Sequence, residues 1–99
     1  MTKLGLLARI EAKPEYADKV EALLRDALRL AQEEDHTVTW FAFRQSDTTF
    51  GVFDTFDDEQ GRQAHLRGAI AAALMDAAPT MLSEAPDIRP VDLIAVKLP

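Results

Sequence analysis

Cysteine is absent from the 99 residues, which removes a disulfide framework, a thiolate nucleophile, a thiolate zinc site and a thiolate-held iron–sulfur cluster. Glycine is scarce: Gly5, Gly51, Gly61 and Gly68 stand alone, so neither a GxGxxG turn nor a P-loop is present and nucleotide cofactors lose their usual cradle. Basic residues are outnumbered, 11 Lys and Arg against 17 Asp and Glu, and the net charge of -6 repels phosphate backbones and anionic lipid surfaces. Nucleic acid and membrane are thereby set aside as partners. No stretch approaches the roughly 18 apolar residues that a membrane span needs. Arg9 and Glu11 interrupt the first apolar run too early for a signal peptide, and the chain reads as untargeted, soluble and cytoplasmic. Histidine is limited to His36 and His65, with no HxH or HxxxH spacing, so no metal site is expected. Ser46 and Ser83 lie outside any GxSxG sequence, and a hydrolase triad has no motif to support it.

What is present is the composition of a folded protein, 47% hydrophobic and 28% charged, in a length that holds one core. Residues 1–99 are read as one domain. LGLLARIEA, residues 4–12, reads as a strand, and Pro14 then suits a helix start. Tyr16, Val20, Leu23, Leu24, Ala27, Leu30 and Ala31 recur at helical spacing with charges between them. HTVTWFAFRQ and TTFGVFDTF are rich in β-branched and aromatic residues around the turn-prone Ser46-Asp47, which predicts a hairpin. Asp57-Asp58-Glu59-Gln60 has the form of a capping box, opening a second helix through Leu66, Ala69, Ile70, Ala73 and Leu74 that Pro79 should end or kink. A loop over 79–90 and a last strand, VDLIAVKL at 91–98, complete the chain. The order βαββαβ predicts an α+β, ferredoxin-like fold: a four-stranded antiparallel sheet with two helices on one face.

Helices on one face call for strands that alternate apolar and polar residues. Here Trp40 and Ala42 share one face of their strand while Phe41 and Phe43 take the other, and the first and last strands are apolar on both sides as well. Something must cover the second face, and the same face of a second copy is the simplest cover. A sheet-to-sheet homodimer is therefore expected.

The residues left for chemistry are an aromatic set, Trp40, Phe41, Phe43, Phe50, Phe53 and Phe56, and a histidine that can titrate near neutrality. They suit a flat aromatic ligand, although aromatic strand residues also serve as core. His65 falls beside the apolar stripe of its helix, where it would flank a crevice between helix and sheet. Arg44 and Asp54 project from strands and can orient polar ligand groups or remain solvated, and His36 belongs to a turn.

AKPEYADKVEALL, with its strand exit and proline helix start, and FGVFDTFDDEQGRQAHL, with strand, acidic residue, aromatic, helix cap and AH run, resemble the antibiotic biosynthesis monooxygenase family, including the small quinol monooxygenases. The resemblance spans nearly the whole chain and implies a dimeric α+β barrel. Asp54 stands where that family usually has Glu, Phe56 where it has Trp, and His65 at its helix histidine near the pocket. Glu15 replaces the usual glycine of the helix start, and Glu34-Asp35-His36-Thr37 replaces a glycine-containing turn. The chain has no asparagine, whereas haem-degrading relatives and the known cofactor-free polyketide monooxygenases use a pocket Asn, so haem degradation is disfavoured. The implied activity is oxidation of an aromatic quinol, phenol or anthrone by O₂ with no cofactor. In that reading His65 and Trp40 are catalytic, and Arg44, Phe41, Phe43, Phe53, Asp54 and Phe56 bind substrate. A non-catalytic binding or effector module for a small aromatic ligand is the alternative, and an isomerase or decarboxylase of a small aromatic-derived acid is a third.

Overall fold

The computed structural model describes residues 2–99. Its elements are β1 (Leu4–Glu11), a 3₁₀ turn (Pro14–Tyr16), α1 (Ala17–Gln32), β2 (Thr39–Arg44), β3 (Thr49–Phe56), α2 (Glu59–Leu66), α3 (Ala69–Met81) and β4 (Asp87–Asp92). The four strands form one antiparallel sheet in the order β2-β3-β1-β4. This is the ferredoxin-like α+β fold predicted from the element order.

Alternation along the strands sorts the side chains. Leu6, Ala8 and Ile10 of β1 and Phe50, Val52, Asp54 and Phe56 of β3 are buried, all on the face that carries the helices. From α1, Ala17, Val20, Leu24, Ala27 and Ala31 meet this face, at the three- and four-residue spacing of one helical stripe. Pro14 opens the 3₁₀ turn, where its missing N–H leaves nothing unsatisfied. The opposite face carries Leu7, Phe41 and Phe43, all exposed, with Phe53 half-buried among them. Gly51 pairs with Phe43 across the β2–β3 ladder, and the Phe43 ring lies where a Cβ at 51 would stand, 2.2 Å from that position. A side chain at 51 would displace the ring from this seat.

Three expectations about the helices are corrected. The second helix is two helices: α2 ends at Leu66, and Gly68, extended at ψ -174°, caps the start of α3. Glycine inside a helix costs about 1 kcal/mol relative to alanine, and here that weakness falls where the chain changes direction. The cap of α2 is Asp58, whose side chain accepts from the Gly61 N–H at 2.8 Å, one residue later than the Asp57–Gln60 box. Pro79 lies within α3, which runs on to Met81. Proline cannot bond back to the preceding turn, but Leu82 N–H still reaches the Ala78 carbonyl.

The last strand is Asp87–Asp92 rather than 91–98. Pro90 pairs opposite Leu6, which is tolerated because β4 is an edge strand with one ladder partner. After Leu93 N–H bonds the Lys3 carbonyl, the chain leaves the sheet, and Ile94, Val96 and Leu98 are exposed. Of the expected strand over 91–98, only Val91 and Asp92 pair in the sheet.

Candidate functional site

Asp54 is a carboxylate at the middle of an otherwise apolar inward row, and it is 2% exposed. A buried carboxylate needs partners. The last turn of α2 supplies one: His65 lies over the sheet with Nε2 2.8 Å from Asp54 Oδ2. The other ring nitrogen, Nδ1, lies 2.7 Å from Oε1 of Glu34, on the loop between α1 and β2. Thr37 Oγ1 donates to the same Glu34 oxygen at 2.6 Å. Gly68 contributes here by lacking a side chain, since a Cβ would approach the other Glu34 carboxylate oxygen to 3.3 Å.

Burial alone would push the His65 pKa down, but the bonds to Asp54 and then Glu34 outweigh it and raise the value above 6.5. Each ring nitrogen faces a carboxylate, so the site favours the imidazolium, whose two N–H groups can both donate. In that form neither nitrogen is left to take a proton directly from a ligand. Oδ1 of Asp54, in contrast, is buried without a hydrogen-bond partner. Phe56 backs the pair, its ring centroid 5.4 Å from that of His65.

Asp54 and His65 form the polar wall of a cavity of about 140 Å³ between the sheet and the helices. Its other lining is mainly apolar: Leu6, Ala8 and Val52 from the sheet, Leu23, Ala27 and Leu30 from α1, Ile70 and Leu74 from α3. Cavities of about 150 Å³ lined by aliphatic and aromatic side chains take up benzene. The volume therefore matches one aromatic ring.

The structure gathers His65, Asp54 and Phe56 and separates the remaining sequence-predicted residues from them. Trp40 pairs with Asp54 across the ladder and packs against both parts of the core, but it lines the neighbouring groove between α1 and β2. Leu24 borders both spaces. The indole Nε1 of Trp40 is buried without a partner. Arg44 donates to Glu21 at 3.0 Å, to Asp18 at 3.5 Å and to the carbonyls of Ser46 and Asp47, with its guanidinium 4.9 Å from the Phe50 ring centre. Those bonds tie the hairpin turn to α1 and occupy its donors. Phe41, Phe43 and Phe53 sit on the far side of the sheet, since odd positions of β2 and β3 point away from the helices. Glu34 was missed as a site residue because its partner is 31 positions away. Its place just before His36, in the segment that departs from the family pattern, was the one signal.

His36, in its turn, brings Nε2 to 3.6 Å from the same Glu34 oxygen. Glu34, His36 and His65 thus place three possible ligand atoms within 4.8 Å of one another. Among the described residues no helix is long and apolar enough to cross a membrane.

No protein-family model matches the chain, and no curated protein matches it. Solved structures do. NE2512, a protein of unknown function from Nitrosomonas europaea, is 55% identical, with all of this chain and 96% of that one covered at a TM-score of 0.97. PA3566 from Pseudomonas aeruginosa is 20% identical over 96% of this chain and 97% of its own, with a TM-score of 0.80. A structure described as an antibiotic biosynthesis monooxygenase is 17% identical, covering 93% of this chain and 99% of its own at a TM-score of 0.79. The chain belongs to one family with the Nitrosomonas protein NE2512, and its fold is that of the antibiotic biosynthesis monooxygenases its sequence resembles.

Proposed function

We propose that the protein is a small cofactor-independent monooxygenase of the cytoplasm, oxidising a single-ring quinol or phenol with O₂ in the cavity beside Asp54. The observation that carries this reading is the unpartnered Asp54 Oδ1, a buried acceptor on the polar wall of an apolar space. The fold shared with an antibiotic biosynthesis monooxygenase supports it. The cavity's size favours one ring over the fused rings of naphthols and anthrones.

In this mechanism Asp54 takes the phenolic proton and leaves an electron-rich phenolate to react with O₂. Asp54 later returns that proton to the oxygen atom that leaves as water, while His65 keeps both ring protons, donating to Oδ2 of Asp54 and to Glu34. Asp54 is thus the base, and His65 the positioning residue that holds it. The apolar lining keeps water from the anion and from its oxidised product. Trp40, pressed beside Asp54 from the neighbouring strand, acts as a positioning residue. For a hydroquinone, the products are a hydroxyquinone and water: the substrate gives up four electrons, one oxygen atom forms the new C–O bond and the other leaves as water. No external reductant is needed.

The homodimer belongs to the same proposal. Leu7, Phe41 and Phe43 on the outer sheet face and Ile94, Val96 and Leu98 beyond β4 are exposed, an apolar extent that a second copy would cover.

The test is oxygen consumption with chelator present against hydroquinones, phenols, naphthols and anthrones, corrected for spontaneous autoxidation. Single-ring substrates should be consumed with one O₂ each, and Asp54→Asn should lower the rate about 10²–10⁴-fold, the usual contribution of a positioned base. Unchanged turnover in Asp54→Asn would remove Asp54 from the chemistry. No uptake across the panel, together with thermal stabilisation by the same compounds, would identify a binding module instead.

A further inference from the structure

We propose that Glu34, His36 and His65 form a binding site for a divalent transition-metal ion, Zn²⁺ foremost, where the α1–β2 loop meets the end of α2. Oε1 of Glu34 lies 2.7 Å from Nδ1 of His65 and 3.6 Å from Nε2 of His36, and the three donor atoms all fall within 4.8 Å of one another. An ion about 2.0–2.2 Å from each ligand in tetrahedral array holds those atoms about 3.3 Å apart. The 2.7 Å separation must open by about 0.6 Å and the 3.6 Å one close by about 0.3 Å, while the two imidazole nitrogens, within 4.8 Å of each other, close by up to about 1.5 Å, a movement that rotation of the His36 side chain in its turn supplies. Two imidazoles and a carboxylate are borderline ligands that suit zinc, and three protein ligands leave a fourth position for water.

Two features of the surroundings point to an ion. Nε2 of His36 is buried and makes no hydrogen bond, so in the metal-free chain a ring nitrogen has given up water for nothing, and a metal would use its lone pair. The outer shell is also in place. Asp54 Oδ2, 2.8 Å from Nε2 of His65, fixes the tautomer that presents Nδ1 as a ligand, and Thr37 Oγ1 holds the Glu34 carboxylate at 2.6 Å. A carboxylate behind a ligating histidine is the recurrent support of zinc sites. A surface depression of about 420 Å³ reaches His36 past Asp35, Asp57 and Asp58, which gives a cation a negatively lined approach.

The ion would displace the Nδ1 proton and the direct bond to Glu34, on the same ring that holds the proposed base. Binding is therefore measured without substrate, so that the fate of this site and that of the monooxygenase reading are separate results. Zn²⁺ titrated calorimetrically into chelator-stripped protein should bind once per chain. His36→Ala, a change in an exposed-side turn, should weaken binding by more than the roughly 10–100-fold that loss of an outer partner costs, and Asp54→Asn should fall within that range. In the unaltered protein, the ring resonances of His36 and His65 should shift together as Zn²⁺ is added, a readout that needs no variant to fold. No stoichiometric binding, full affinity in His36→Ala, or a shift of one histidine alone would overturn the site.

Discussion

His65 and Asp54 meet at 2.8 Å between Nε2 and Oδ2, one from the last turn of α2 and one from the middle of β3, both nearly out of solvent. With Glu34 on the second ring nitrogen, the folded state favours the imidazolium, and the His65 pKa rises although burial opposes it. The unfolded chain titrates this group near 6.5. Its contribution to stability is therefore complete below about pH 6.5 and is lost as the pH climbs through the raised folded value. Denaturant midpoints should fall across that alkaline-side window, and Asp54→Asn should shrink the fall. A midpoint flat from about pH 6 to 9 would show that the ring is not held charged.

The cavity sets a second expectation. Ala27 lines it from α1, so Ala27→Leu should fill part of the space at an overpacking cost of about 1–3 kcal/mol or less. Stabilisation by a hydroquinone in thermal melts, present in the parent protein, should disappear. Leu74→Ala acts in the other direction, enlarging the same space and destabilising by about 2–5 kcal/mol. Equal ligand-induced shifts in the parent and in Ala27→Leu would place the ligand elsewhere.

Phe41 tests the outer face. At 58% exposure it makes little contribution to the protomer's own core, so Phe41→Glu should leave the circular dichroism spectrum intact. Sedimentation should show a dimer for the parent and a monomer for the variant. A parent that sediments as a monomer at micromolar concentration would overturn the assembly.

The fold was readable because its signals are local. The apolar stripe of α1, the β-branched and aromatic hairpin strands and the turn at Ser46-Asp47 each depend on neighbours a few residues apart. Where a choice depended on a distant partner, local pattern misled. VDLIAVKL alternates like a strand, yet β4 is the stretch that pairs with β1, and an edge position lets it include Pro90. Pro79 reads as an end or a kink, and α3 does not end there but runs two residues on to Met81.

The same division runs through the candidate site. By itself the sequence determined that thiol chemistry is excluded, that strands and helices follow one another in the order of a ferredoxin-like fold, and that His65 lies on a helix beside a crevice and Asp54 on a strand. Only the tertiary structure decided which residues meet. It put Phe41, Phe43 and Phe53 on the far side of the sheet, engaged Arg44 with Glu21 and the hairpin turn, and joined Glu34 to His65. The physical reason is that residue type and spacing determine which face of an element a side chain takes, whereas a buried ion pair depends on the angle at which two elements cross. Here the two elements are the end of α2 and the middle of β3, joined where His65 meets Asp54.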